Sequence, residues 1–380
     1  MKVSYLCSNS YIDSRTLSRA SYPYPPVLYD PEVGTRSVEA ALEHARLADE
    51  LGFDWVSVSE HHFAPGLLTP NPSVFAGALT QIVRRAKIAV LGPVVSINNP
   101  VRVAEEIALL DLLSGGRVVV FLLRGTPNEF TTYHINPDET RARTEEAVAL
   151  IVRALTEPRP FGWEGRYFRF PTVAIWPGPT QRPHPPIFSS GNSLESAAFA
   201  ARQRHGLAIS FRPPAGVAEA VSHYKAECER QGWQPSPDQI LYRGFIAVAE
   251  SDAEAEALRA RFAASRGGAR PAGGNGAARP ANGVFADANA KHEDGAGRGG
   301  EGFGLGSLQF WGSPDALVEQ IRAFHEQTGV GVLDLIFTGG PQAVDKALRL
   351  FAREVLPRIR DIGVDSAEAA PAQEAAGVAD

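Results

Sequence analysis

The sequence is poor in sulfur, with two cysteines and one methionine among 380 residues. Cys7 and Cys228 stand far apart and without metal-ligand spacing, which excludes a disulfide framework and argues against a zinc cluster. No stretch approaches the roughly 18 apolar residues that read as a membrane span, and the mixed segment around Lys2 is no apolar leader. A soluble, cytoplasmic protein with no membrane contact is expected. A basic block is missing too. The 37 Lys and Arg are interspersed among 43 Asp and Glu for a net charge of −6, so nothing is set to neutralise a nucleic-acid backbone.

What is present is an ordinary globular balance, 44% hydrophobic and 21% charged, sufficient for a sizeable core. Short apolar runs alternate with helical periodicity, the pattern of βα units on a parallel sheet. Residues 3–7 read as a first strand. Val38, Leu42, Ala45 and Leu51 then recur at helical spacing up to Gly52, and residues 55–59 make a second strand. Further strands are expected at 88–91, 118–123, 187–190, 207–210, 241–249 and 332–337. Helices are expected at 72–84, 100–113, 140–155, 193–204, 217–231, 252–264, 314–327 and 342–359.

Eight strands repeating at about 30 residues predict a closed (β/α)8 TIM barrel, one domain over 1–363. The competing open doubly wound sheet favours a glycine-rich turn after its first strand, which residues 7–11 lack. Residues 161–170 suggest a hairpin. The Gly/Ala-rich segment 267–304 reads as a mobile insertion, a lid or simply an unstructured loop, and 364–380 as a disordered tail.

Barrel enzymes carry their working residues at the carboxyl ends of the strands. The second strand runs into Glu60-His61-His62-Phe63, and imidazole suits proton transfer near neutral pH. Adjacent residues on extended chain point oppositely, so at most one of His61 and His62 is catalytic. The alternative is a loop in which one histidine satisfies a helix end and the other is solvated. The fourth strand ends at Arg124-Gly125, a guanidinium suited to an anion or, equally, to an ion pair with Glu129. Ser189, Ser190, Gly191, Asn192 and Ser193 lead into a helix N-terminus able to surround a phosphate, although Ser193 also fits an ordinary N-cap. Leu91-Gly92 leaves a gap in which a flat ring can rest against backbone.

These segments resemble the bacterial luciferase-like family of flavin-dependent monooxygenases. The likeness is most specific over 50–155, in the ordered runs Glu60-His61-His62-Phe63, Asn71-Pro72, Pro100-Val101-Arg102, Leu110-Asp111, Gly116-Arg117 and Arg124-Gly125. Weaker likeness continues at 189–196, 312–315 and 350–357. The resemblance implies a luciferase-like barrel, usually a dimer, using reduced FMN supplied by a separate NAD(P)H-dependent flavin reductase. Oxygen then adds to the reduced ring, and the resulting C4a-peroxyflavin oxygenates a small organic substrate. By position, His61 is similar to the family's acid/base histidine and Arg124 to its phosphate-binding arginine; Ser189 to Ser193 fall where relatives complete the cradle, and Leu91-Gly92 where backbone meets the ring. The reactive cysteine of luciferase is replaced by Leu123.

His62, Phe63 and Tyr11 are expected to line the substrate pocket. Tyr11, Tyr22, Tyr24 and Tyr29 of the long first loop would sit over the mouth and favour an apolar, aromatic or polyketide-like substrate. Phe75, Leu79, Ile107 and Leu110 lie on helices that relatives use to dimerise, or else pack on the barrel. No metal is expected. The alternatives are an F420-dependent oxidoreductase of the same superfamily and a non-catalytic flavin-binding partner subunit.

Overall fold

The computed structural model describes residues 1–12, 17, 23–267 and 308–363. Apart from Gly267, the expected insertion lies outside the described residues, as do the expected tail and Tyr22. Eight parallel strands close a barrel: β1 (Lys2–Leu6), β2 (Trp55–Ser59), β3 (Lys87–Val94), β4 (Val118–Leu123), β7 (Ile187–Ser190), β8 (Gly206–Ser210), β9 (Ile240–Val248) and β11 (Val332–Phe337). Each pairs with the next, β11 pairs with β1, and the ring is completed through the β8–β9 and β9–β11 pairings. The strand order thus matches the sequence expectation.

The helices begin where side chains satisfy their first amides. Asp30 opens α1 (Pro31–Glu50), Asn71 opens α2 (Pro72–Ile82) and Asn99 opens α3 (Pro100–Ser114), each followed by proline at the first helical position. The ring continues with α5 (Thr140–Thr156), α6 (Leu194–Arg202), α7 (Pro214–Arg230), α8 (Asp252–Gly267), α9 (Pro314–Thr328) and α10 (Pro341–Glu354). Four departures from expectation are local. A short α4 (Pro127–Thr132) follows β4, and a three-residue strand β10 (Phe310–Gly312) adds to β9; both are too brief to show periodicity. The hairpin β5 (Phe161–Glu164) with β6 (Arg169–Val173) runs past residue 170. The last expected helix breaks at Val355 ahead of Pro357, leaving α11 (Leu356–Ile359) separate.

The strands are buried on both faces, which is why they read as continuous apolar runs. Outward residues such as Val56, Val58, Ile88, Val118 and Val120 pack under the helices. Inward residues Trp55, Leu91, Val119, Phe121, Phe188, Leu241 and Val332 plug the interior. The rings of Phe121 and Phe188 stack at 4.7 Å and Trp55 meets Phe188 edge-on at 5.8 Å. One alternation further along their strands lies a buried polar layer. Asp334 accepts from Ser57 Oγ at 2.6 Å and from Arg243 Nε at 2.7 Å, and Arg243 Nη1 reaches Ser59 Oγ at 3.5 Å.

Phe75, Leu79, Ile107 and Leu110 all turn toward the barrel and pack in its outer core, so the face that α2 and α3 leave open is a different one. It carries Val74, Leu109, Leu112 and Leu113, each at least 47% exposed.

Candidate active site

Beyond β2 the chain stays extended, with the His61 amide donating to the Thr69 carbonyl at 3.1 Å, and the two imidazoles part as expected. His61 is open to solvent, yet the protein around it lowers its pKa. Burial is the leading cause; Glu129 opposes it, while Arg243 and His62 reinforce it. His61 is thus exposed and yet favoured in its neutral form by the protein around it.

His62 is 7% exposed, and both of its ring nitrogens are taken. Nε2 lies 2.9 Å from Glu60 Oε1, and the Tyr133 hydroxyl lies 3.1 Å from Nδ1. The second oxygen of Glu60 accepts the Val94 amide at 2.9 Å. This seat exists because β3 shifts register between Leu91 and Val94 around Gly92, whose φ of +95° only glycine adopts readily. A Cβ on Gly92 would stand 3.3 Å from Glu60 Cβ. Two expectations are corrected here. The gap at Gly92 is filled by Glu60, and Leu91 belongs to the interior plug, so neither is a bare ledge for a ring. His62 is locked in a network and does not form an open pocket wall.

Arg124 follows β4, its carbonyl held by Ser96 Oγ at 2.6 Å. Close passage of Val94 over this turn requires glycine next to it: a Cβ on Gly125 would lie 2.5 Å from Val94 Cγ1. Glu129 does not pair with the guanidinium; it closes a capping box with Thr126 at the start of α4. Arg124 has no hydrogen-bond or ion-pair partner for its side chain among the described residues. Burial and then the nearby Arg141 lower its pKa, with Glu195 opposing. Glu195 belongs to the first turn of α6, so Arg124 and the 190–196 turn share one stretch of rim. Glu195 itself is held by Arg141 at 2.7 Å.

Within that turn the residues divide. Ser190 alternates inward with Phe188. Ser193 caps α6 by accepting the Ser196 amide, Asn192 accepts the Ser210 amide at 3.0 Å, and the Gly191 amide donates to the Ala208 carbonyl. The amides of Leu194 and Glu195, in the first turn of α6, have no acceptor within the helix. Ser189 is a correction: it points outward, 3% exposed, hydrogen-bonded to His205 at 3.0 Å, and cannot reach a ligand in the mouth.

Phe63 stands at the rim, 52% exposed. Tyr11 does not cover the mouth. It is 5% exposed in a cluster with Leu17 and Val33, and its hydroxyl accepts the Asp30 amide, which fastens the first loop to α1. Across the mouth the rim is aromatic: Phe211 stacks on Phe245 at 5.2 Å and Phe245 meets Phe262 at 5.1 Å.

Sequence reasoning missed Tyr133, Arg243 and Asp334. The last two carried a signal, opposite charges in the middle of two apolar strands that turn out to be neighbours. No group of three or more His, Cys, Asp or Glu is placed to hold a metal ion among the described residues, and no described helix is long and apolar enough to cross a membrane.

Comparison with known proteins adds three findings. The family model for luciferase-like monooxygenases matches residues 23–330. Among curated relatives, an uncharacterized Sinorhizobium fredii protein is 32% identical over 51% of this chain and 56% of its own. The oxygenase component of a flavin-dependent trigonelline monooxygenase from Acinetobacter baylyi is 23% identical over 60% and 64%. An FMNH2-dependent dimethylsulfone monooxygenase from Pseudomonas putida is 26% identical over 84% and 87%. The chain spans about half the length of the first of these. Among solved structures, the monooxygenase RslO1 from Streptomyces bottropensis superposes with a TM-score of 0.73 at 26% identity, covering 94% of this chain and 99% of that one. An F420-dependent secondary alcohol dehydrogenase reaches a TM-score of 0.67 at 18% identity over 95% and 99%, a likeness of fold.

Proposed function

Since the chain belongs to the luciferase-like monooxygenase family, we propose that it is the oxygenase of a two-component system, using reduced FMN and dioxygen to oxygenate an apolar organic molecule. The observation that carries this reading is Arg124, a half-buried guanidinium without a partner among the described residues, beside the open N-terminus of α6 and on the same rim as His61. A buried cation left unpaired is costly, and a phosphate relieves that cost.

The residues fit the cofactor at both ends. Arg124 and the first amides of α6 would hold the phosphate, with Ser190, Asn192 and Ser193 shaping the turn. Reduced FMN supplies the electrons that activate oxygen. His61, kept neutral by burial, accepts or returns a proton at an imidazole nitrogen. Phe211, Phe245 and Phe262 offer an aromatic wall to the substrate and keep water from it. That wall supports an aromatic or polyketide-like substrate.

A flavin reductase as partner agrees with the relative named as an oxygenase component, and a cytoplasmic setting gives access to NAD(P)H. The exposed Val74, Leu109, Leu112 and Leu113 support a homodimer through α2 and α3. Titration of the protein with reduced FMN and with reduced F420, followed by absorbance, tests the reading. Micromolar affinity for reduced FMN is expected. Tight F420 binding without affinity for reduced FMN overturns it.

A further inference from the structure

Two turns meet at the carboxyl ends of β7 and β8, residues 190–193 and residues 210–213, and they are fastened to each other at several points. The Gly191 amide donates to the Ala208 carbonyl at 2.8 Å, and a Cβ on Gly191 would stand 2.2 Å from Leu207 Cδ1, so the first turn lies flush on β8. Asn192 then reaches across twice. Its side-chain oxygen accepts the Ser210 amide at 3.0 Å, and its carbonyl accepts from Arg212 Nη1 at 3.3 Å.

Between those two points lies Phe211, whose φ of +57° is in the left-handed region that a bulky side chain avoids. Such a conformation persists only where its surroundings over-determine it, and residues of this kind gather at ligand clamps. The Phe211 amide donates to the Arg243 carbonyl at 3.1 Å, the Tyr242 hydroxyl donates to the Arg212 carbonyl at 2.9 Å, and the Phe211 ring stacks on Phe245 with the planes 26° apart. Those fastenings belong to β9. The two from Asn192 belong instead to the turn assigned above to the phosphate.

We propose that Asn192 is a positioning residue that holds Phe211 as the specificity-determining residue of the aromatic wall, so that an anion at the 190–193 turn and an apolar aromatic ligand on Phe211 bind cooperatively. The inference rests on the cofactor site proposed above. An anion held by Arg124 beside this turn steadies the Asn192 backbone, which keeps the bonds to Ser210 and Arg212 and with them the left-handed conformation of Phe211. Without the anion the turn is held less firmly, and the strained backbone relaxes in a larger fraction of molecules. The coupling is reciprocal: a ligand stacked on Phe211 strengthens the grip on the anion by the same factor. The wall is therefore best formed once the phosphate is seated, which favours cofactor before substrate.

Binding of prodan, a neutral naphthalene dye, to the cofactor-free protein with and without saturating inorganic phosphate tests the proposal. Phosphate is expected to raise prodan affinity about three- to tenfold, the worth of about one hydrogen bond. Phe211→Ala is expected to lower that affinity about tenfold. Asn192→Ala and Arg212→Met each remove one fastening, from opposite sides of Phe211, and each is expected to cut the enhancement by phosphate below about twofold while phosphate still binds. Prodan affinity indifferent to phosphate in the unaltered protein overturns the proposal alone, as does full enhancement in either of those variants or affinity unmoved by Phe211→Ala. Absence of phosphate binding, or phosphate binding that survives Arg124→Ala, removes the cofactor site and this coupling together.

Discussion

On the β2–β4 side of the barrel, polar side chains stand at the rim; on the β7–β11 side, the turn after β7 aside, they lie inside the wall or behind it. His61 and Arg124 follow their strands directly, whereas Arg243 and Asp334 are sealed within the barrel and Ser189 and His205 behind it. The rim of the second side is aromatic instead. The same residue types therefore do different work: the Arg124 charge on the first side has no protein partner among the described residues, and the Arg243 and Asp334 charges on the second hold strands together.

The sharpest way to break this contrast is to remove Asp334. Asp334→Ala leaves Arg243 a buried, unpaired cation and should lower unfolding free energy by about 3–5 kcal/mol in denaturant titration. Arg124→Ala, removing a half-buried cation that has no protein partner among the described residues, should leave the unliganded protein at least as stable in that experiment. Equal losses for the two would erase the distinction.

Acid should attack the second side through His205. Burial depresses its pKa from 6.5 to about 3, so the unfolded chain binds a proton there that the folded chain refuses. The associated stability is complete above about pH 6.5 and is lost as pH falls toward about 3. Stability should fall by about 1.4 kcal/mol per pH unit across that window, and His205→Gln should flatten the slope.

Arg124→Ala then sharpens the first side. FMN affinity should drop about 10- to 100-fold, since a hydrogen bond to a charged group contributes about 1.5–3 kcal/mol, while riboflavin, which has no phosphate, binds as before. A smaller loss of stability than that of Asp334→Ala is expected from Gly92→Ala. The positive φ and the contact with Glu60 should together cost about 1–2 kcal/mol in thermal unfolding and perturb the His62 imidazole signals.

Much of the first side was legible in sequence because its chemistry is local. Glu60-His61-His62 and Arg124-Gly125 each follow a strand directly, so placing the strand places the group. What was missed is non-local. Tyr133 meets His62 across 71 residues of chain, and no periodicity announces such a contact. Arg243 and Asp334 sit in strands whose apolar runs were recognised, but their inward direction became visible only once β9 and β11 were paired. Tyr11 failed for another reason: a tyrosine after a strand reads as a ligand wall, but its hydroxyl is satisfied by Asp30 and its ring by Leu17 and Val33. Ser189 and Ser190 were separated by the two-residue alternation of β7 alone.

The stacked pair of Phe121 and Phe188, with Trp55 against them, makes the barrel a cup and not a pipe. If the chain is the oxygenase proposed above, cofactor, substrate and oxygen would share one doorway, and whichever entered first would lie beneath the others. Traffic would become a queue, and turnover would be paced by the order of leaving.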